Sequence, residues 1–195
     1  LAPMVYMLAV SLSSNAQVVA GNVSFWPKGF TLSSYEYLLS LGAFWSSMLI
    51  SVERVVISLV FTLVFTALTA YPLSKSSSKF LGRTGFAWYF FIPMLVNGGL
   101  IPTYMTISSL KLLGSIWALI LPSTIVTFYV ILMLNFFRGI PGEIEEAALI
   151  DGAGQWRILF GIYLPLSLPS LATIAVYCSL AQWNEWFNGI IYMND

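Results

Sequence analysis

Residues 145–165, Glu145 to Pro165, read EEAALIDGAGQWRILFGIYLP, and this stretch decides what kind of chain surrounds it. The sequence is 58% hydrophobic and only 8% charged, with eight basic and eight acidic residues among 195. Six of those charges, Arg138, Glu143, Glu145, Glu146, Asp151 and Arg157, crowd into positions 138–157. Soluble domains carry roughly 25% charged residues, so the water-facing surface of such a domain is mostly missing here. A mean hydropathy of +0.86 makes lipid the natural solvent, and the charged stretch is one of the few places where the chain meets water.

A helix that crosses the hydrocarbon core needs roughly 20 mostly apolar residues. Five charge-free runs answer to that requirement: Leu1 to Pro27, Val55 to Ser74, Thr84 to Leu110, Leu112 to Phe137 and Ile158 to Asn184. The first is densely apolar only to Leu12, so it reads as the last part of a span, and the chain is expected to begin inside a helix. If the spans alternate sides, Lys75, Lys79, Arg83, Arg138 and Arg157 share one side while Lys28, Arg54 and Lys111 lie on the other. The positive-inside rule then places the 75–83 and 138–157 linkers in the cytoplasm. The third run, containing FIPMLVNGGLIPTY, carries Pro93, Gly98, Gly99 and Pro102 and is expected to break. Interrupted helices at membrane depth often mark a transport path; the alternative is a helix ending near Leu100 with an interfacial segment from Pro102 to Leu110.

The stretch RGIPGEIEEAALIDGAGQWRILFGIYLP reads as two short helices joined at glycine. Pro141 suits a first helical position, and Glu143, Glu145 and Glu146 in the opening turns complement the helix dipole. Gly152 offers the left-handed conformation that ends the first helix. Trp156, Leu159, Phe160 and Tyr163 follow i, i+3, i+4, i+7 spacing and give the second an apolar face. An interfacial amphipathic helix would pair such a face with Lys or Arg; the first helix has three Glu and neither of those, which favours a protein partner.

These residues match a family pattern. Glu146-Ala147-Ala148, three residues, Gly152, nine residues, Ile162, one residue and Leu164-Pro165 resemble in full the EAA loop of permease subunits of ABC-type importers. The resemblance implies that the loop, 138–165, forms coupling helices docked on a separate ATPase. Glu145, Glu146, Ala147, Ala148, Asp151 and Gly152 would then sit at the docking corner, and Ile162, Leu164 and Pro165 would anchor the return into the membrane. FTLSSYEYLL, AYPLSKSSSKFLGR, the interrupted third run and QWNEWFNGIIYMND are similar to the sugar and oligosaccharide branch related to the maltose permease. The implied fold is an all-α polytopic transmembrane bundle of the type I importer permease kind: a single permease domain over 1–195, with about five spans against six in the full pattern. The chain is therefore expected to lack the start of its first span and all of its last. A second permease, a solute-binding protein outside the bacterial inner membrane, a saccharide and membrane lipid are the implied partners.

The remaining chemistry is sparse. The chain has no His and one Cys, Cys178, so the familiar zinc and haem ligand sets are absent and no cofactor or metal is expected. No G-x-x-x-x-G-K-[ST] phosphate loop occurs, so ATP hydrolysis belongs to another polypeptide and the chain is read as a transporter subunit, not an enzyme. A formal charge of zero gives no basic patch for nucleic acid. Candidates for the substrate path are Asn97 beside Gly98-Gly99, then Asn184 and Asn188, expected on one helical face, with Tyr104 and Thr103 following. Trp183, Glu185, Trp186 and Phe187 surround those asparagines, and an interfacial aromatic belt is the plainer account of the rings. Glu53-Arg54 reads as a snorkelling interfacial pair. The rival functions are an ion-coupled secondary transporter, for which Glu185 is the one acid near a span, and an importer permease for a non-sugar solute such as amino acids.

Overall fold

The computed structural model describes residues 1–76, 80–96 and 98–193. The chain gathers into two compact units, Leu1–Ser51 and Val52–Asp195. Among the described residues the regular structure is helical, with a single isolated antiparallel bridge, Ser13 to Phe30.

In the first unit, α1 (Ala2–Ser11) is a short apolar helix, and α2 (Asn15–Val19) and α3 (Ser33–Ser40) follow it. The Ser13 hydroxyl, itself buried, donates to Ala9 O at 2.6 Å and accepts from the Lys28 amide at 3.0 Å, which ties the polar turn after α1 back to the Trp26-Pro27-Lys28 segment. Tyr35 on α3 meets Ser11 at 2.8 Å.

The helix α4 (Gly42–Ser74) runs 33 residues without interruption, about 50 Å at 1.5 Å per residue, against a hydrocarbon core of about 30 Å. It starts thirteen residues before the charge-free run that announced it, because Glu53-Arg54 lies inside the helix and does not open it. Its side chains are arranged inside out. Arg54, Ser58, Thr62 and Thr66, four apart, are buried, while Val56, Val60 and Val64 stand 53%, 54% and 47% exposed. A helix whose polar stripe faces protein and whose valines face outward suits lipid.

The third, fourth and fifth expected spans are bent. The third run forms α5 (Arg83–Leu95) and α6 (Leu100–Ser109), broken where its glycines and prolines predict, with Gly99 at φ +83°. The fourth, expected as one span, is α7 (Trp117–Ile120) with a 3-10 turn at Leu121–Ser123, then α8 (Thr127–Arg138), the two parts meeting at 48°. Pro122 and the β-branched run Thr124, Ile125, Val126 interrupt it. After α9 (Gly142–Ile150), the fifth comprises α10 (Gln155–Ile158), a π-helical turn at Leu159–Tyr163 and α11 (Leu164–Leu166), then a 77° bend at Ser167 into α12 (Leu168–Asn184) and the short α13 (Phe187–Tyr192). Among the described residues there is, by length and apolarity, one unbroken span, and up to four if each bent pair counts as one.

The main core of the second unit joins α4, α8, α10 and α12 through Tyr71, Leu73, Met133, Phe137, Ile158, Leu159, Tyr163 and Ile174. Tyr71, Phe137 and Tyr163 close an edge-to-face triangle with centroids 5.1–6.3 Å apart, a favoured aromatic geometry. Arg83 Nε and Arg138 Nη2 both donate to Leu73 O, at 3.0 and 3.5 Å, so two cations sit at the negative end of the α4 dipole. A smaller cluster of Ile107, Ala118, Leu119 and Tyr192 joins α6, α7 and α13, and Gly114 N donates to Tyr192 O at 2.8 Å.

Candidate functional site

The charged stretch folds around α9. Pro141 is its N-cap, so the helix starts at Gly142, one residue later than the sequence places it. At the other end Gly152 has φ +76°, its amide bonds Leu149 O at 3.0 Å and the Ala153 amide bonds Ala148 O at 2.9 Å. This pair of bonds is a Schellman closure, and it needs a positive φ that glycine alone adopts cheaply.

The acidic residues of α9 divide. Glu146 is exposed, as are Glu143 and Asp151. Glu145, expected among them, is turned inward and only 5% exposed, because the helical turn that points Glu146 out points its neighbour at the core. Its Oε2 accepts from Lys75 Nζ at 2.8 Å and from the Tyr163 hydroxyl at 2.7 Å. Lys75 Nζ also lies 4.0 Å from the Tyr71 ring centroid and 4.3 Å from that of Tyr163, within cation–π range. The Tyr71 hydroxyl donates to Gln155 Oε1 at 2.7 Å. The C-terminal end of α4 is thus bound to α9 through Lys75 and to the start of the second loop helix through Tyr71, while Tyr163 joins the π-helical turn to α9.

Ala147 is exposed, Ala148 is half-buried, and Ile150 is 87% exposed beside Asp151. Ile162 and Leu164 are half-buried against the core, and Pro165 is exposed. The expected apolar face of the second helix is split. Leu159 and Tyr163 enter the core, while Trp156 and Phe160 stand 66% and 59% exposed with rings stacked at 6.2 Å. The π-helical turn at Leu159–Tyr163 takes an extra residue per turn and shifts the stripe out of register.

Away from α9, the second unit holds a cavity of about 360 Å³ lined by residues of α4, α6, α7, α12 and α13. Asn188 and Thr103 line it, as does Glu185. Asn184 does not; it is exposed, and its side-chain amide donates to Leu180 O at 2.7 Å. The two asparagines do not share a helical face, because the chain turns extended at Glu185 (ψ 97°) between α12 and α13. Tyr104 stacks on Tyr192 at 6.3 Å and is 40% exposed. Asn97 lies outside the described residues.

The residue the sequence reading passed over is Arg54. It is 7% exposed and lines the cavity, while Glu53 faces outward. Arg54 Nε donates to Gln182 Oε1 at 3.1 Å and Nη1 to Glu185 O at 2.7 Å, and Gln182 Nε2 donates to the Ser123 hydroxyl at 2.8 Å. The signal was present in the four-residue spacing of Arg54, Ser58, Thr62 and Thr66, since a polar stripe in an apolar helix faces inward; the adjacent Glu53 disguised it as a surface pair.

A helical membrane-spanning subunit with an exposed acidic loop helix is the class this arrangement defines. Comparison with known proteins makes the class specific. Residues 18–188 match the family model described as the binding-protein-dependent transport system inner membrane component, and the chain belongs to that family. It is a transporter subunit and not an enzyme. It is 38% identical over 193 residues to the polygalacturonan/rhamnogalacturonan transport system permease protein YtcP of Bacillus subtilis (strain 168), covering 99% of this chain and 67% of the relative. It is 39% identical over 193 residues to Protein LplC of the same organism, covering 99% and 65%. Its fold matches, with a TM-score of 0.94 and 33% identity over 100% of this chain and 69% of the other, a chain in the crystal structure of a bacterial ABC transporter involved in the import of the acidic polysaccharide alginate. The chain spans about two thirds of the length of these relatives.

Proposed function

We propose that this chain is the permease subunit of an ATP-driven importer, a single permease domain over 1–195 that moves a sugar or oligosaccharide inward by alternating access. Family membership supports the reading, as do relatives named for polygalacturonan and alginate import. The observation that carries it is α9 itself, a helix with exposed Glu143, Glu146, Ile150 and Asp151, anchored from beneath by buried Glu145. Its partners are a separate ATPase, a second permease and an extracytoplasmic solute-binding protein. The subunit lies multi-pass in the bacterial inner membrane, with the 75–83 and 138–157 linkers toward the cytoplasm.

In this reading Glu146, Ala147, Asp151 and Gly152 form the docking corner on the ATPase. Glu145 acts from behind it, as the residue that fixes where the helix stands. Ala148, Ile162, Leu164 and Pro165 carry the loop back to the spans. Asn188 belongs to the substrate path directly, and Tyr104 and Asn184 are its flanking residues. A ligand biases two states only by binding them unequally, so closure of the ATPase pair must favour one position of α9 over the other.

Co-purification of the full-length subunit with its ATPase tests this, with wild type beside Glu146→Lys and Gly152→Val. The expected result is retention by wild type and loss in both variants, with the spans still folded by circular dichroism. Full retention and full transport in both would remove the docking role from α9.

A further inference from the structure

The cavity beside Arg54 holds a buried guanidinium whose hydrogen-bonding fork the described residues fill only in part. Arg54 is buried, yet it forms no ion pair among the described residues. Both of its acceptors are uncharged: the Gln182 side-chain oxygen and the Glu185 backbone carbonyl. A guanidinium has five N–H donors in a planar fork, and these two bonds occupy Nε and one hydrogen of Nη1. The Nη2 edge takes no hydrogen-bond partner among the described residues. The nearby Glu185 carboxylate attracts the guanidinium across the cavity without bonding it, and its Oε1 accepts the Asn188 amide at 3.0 Å at the start of α13. Gln182, held in turn by Ser123, fixes the plane of the fork.

A guanidinium fork with one open edge matches the two oxygens of a carboxylate. We infer that this cavity receives an acidic saccharide, a uronate unit whose carboxylate docks on the open edge of Arg54 while Glu185 and Asn188 take its hydroxyls; the inference rests on the reading of the chain as a saccharide importer permease. Glu185 has a second consequence. Its charge opposes the bound anion, so the site holds the sugar weakly enough to release it, as a conduction path requires.

The test uses the full-length subunit in its assembled importer, in membrane vesicles, with trigalacturonate and the neutral galactose trisaccharide of the same linkage as competing probes. The readout is the ratio of acidic to neutral uptake. Arg54→Gln lowers the ratio about tenfold, the loss expected for a hydrogen bond between charged groups, and Arg54→Lys falls between it and wild type. Glu185→Gln keeps the acceptor for the Asn188 amide, removes the opposing charge and raises the ratio several-fold, a gain that misfolding does not imitate. An unchanged ratio in all three variants, with uptake of both probes falling together, makes Arg54 a cap for α12 and overturns the inference. Wild-type uptake of the neutral probe alone overturns it while leaving the saccharide reading intact. Uptake of neither probe by an importer that retains its ATPase removes the saccharide reading and this inference with it.

Discussion

Lys111 ends α6 with φ 56°, its amide bonded to Ser108 O and the Leu112 amide to Ile107 O, so it occupies a position where glycine is the ordinary choice. A side chain there costs about 1–2 kcal/mol in local sterics. Lys111→Gly should therefore recover on the order of 1 kcal/mol and raise the thermal midpoint of the detergent-solubilised subunit. The Lys75–Glu145 pair carries the opposite lesson. With side chains 10% and 6% exposed, removal of one partner strands a buried charge, at a cost of about 3–5 kcal/mol. Lys75→Met should lower the midpoint steeply, and adding Glu145→Gln should restore most of it, because glutamine still accepts from Tyr163. Equal loss in the single and double variants would mean that the geometry around Lys75, and not its charge, holds α9. Residue identity told part of this in advance. Gly152 was legible, since a glycine after a helical run has few other uses. Glu145 was not, because three glutamates within four positions look alike until the helix phase is known.

At the scale of elements, α9 presents Ile150, 87% exposed and apolar, next to Asp151 and Glu146. Exposed substitutions away from structural features usually change stability by less than 0.5 kcal/mol or so. Ile150→Asp should accordingly leave the thermal midpoint in place while weakening ATPase retention; a fall in the midpoint alone would assign Ile150 to the fold and not to the dock. A Cβ added at Gly152 meets no neighbouring atom within 4 Å, so the strain of Gly152→Val starts at the backbone, and the variant should displace the second loop helix without opening the core. The break between α5 and α6 could be read from Pro93, Gly98, Gly99 and Pro102. The break at Pro122 and that at Ser167 could not, because single prolines and serines occur in unbroken membrane helices, where neighbours satisfy the freed backbone groups. The π-helical turn left no trace in the i, i+3, i+4, i+7 spacing that concealed it.

Across the whole molecule, hydropathy and charge placement sufficed for a helical membrane protein, and the loop spacing sufficed for the family. What they could not give was the inside of the bundle. Apolarity is the same toward lipid and toward protein, so Arg54, Gln182 and Ser123 acquire meaning only when α4, α7 and α12 are brought together. The path between the two sites runs along α4, the one unbroken span among the described residues. From Arg54 to Ser74 it rises about 30 Å, with the open guanidinium edge at one end and, just beyond the other, the Lys75 ammonium that grips α9. A rod of this kind works in both directions. If motion of the ATPase changes the affinity of the cavity by some factor, thermodynamic reciprocity requires that cargo in the cavity change the closing equilibrium of the ATPase by the same factor. The load would then help to time the engine, and a futile cycle with an empty cavity would be held in check by one continuous helix.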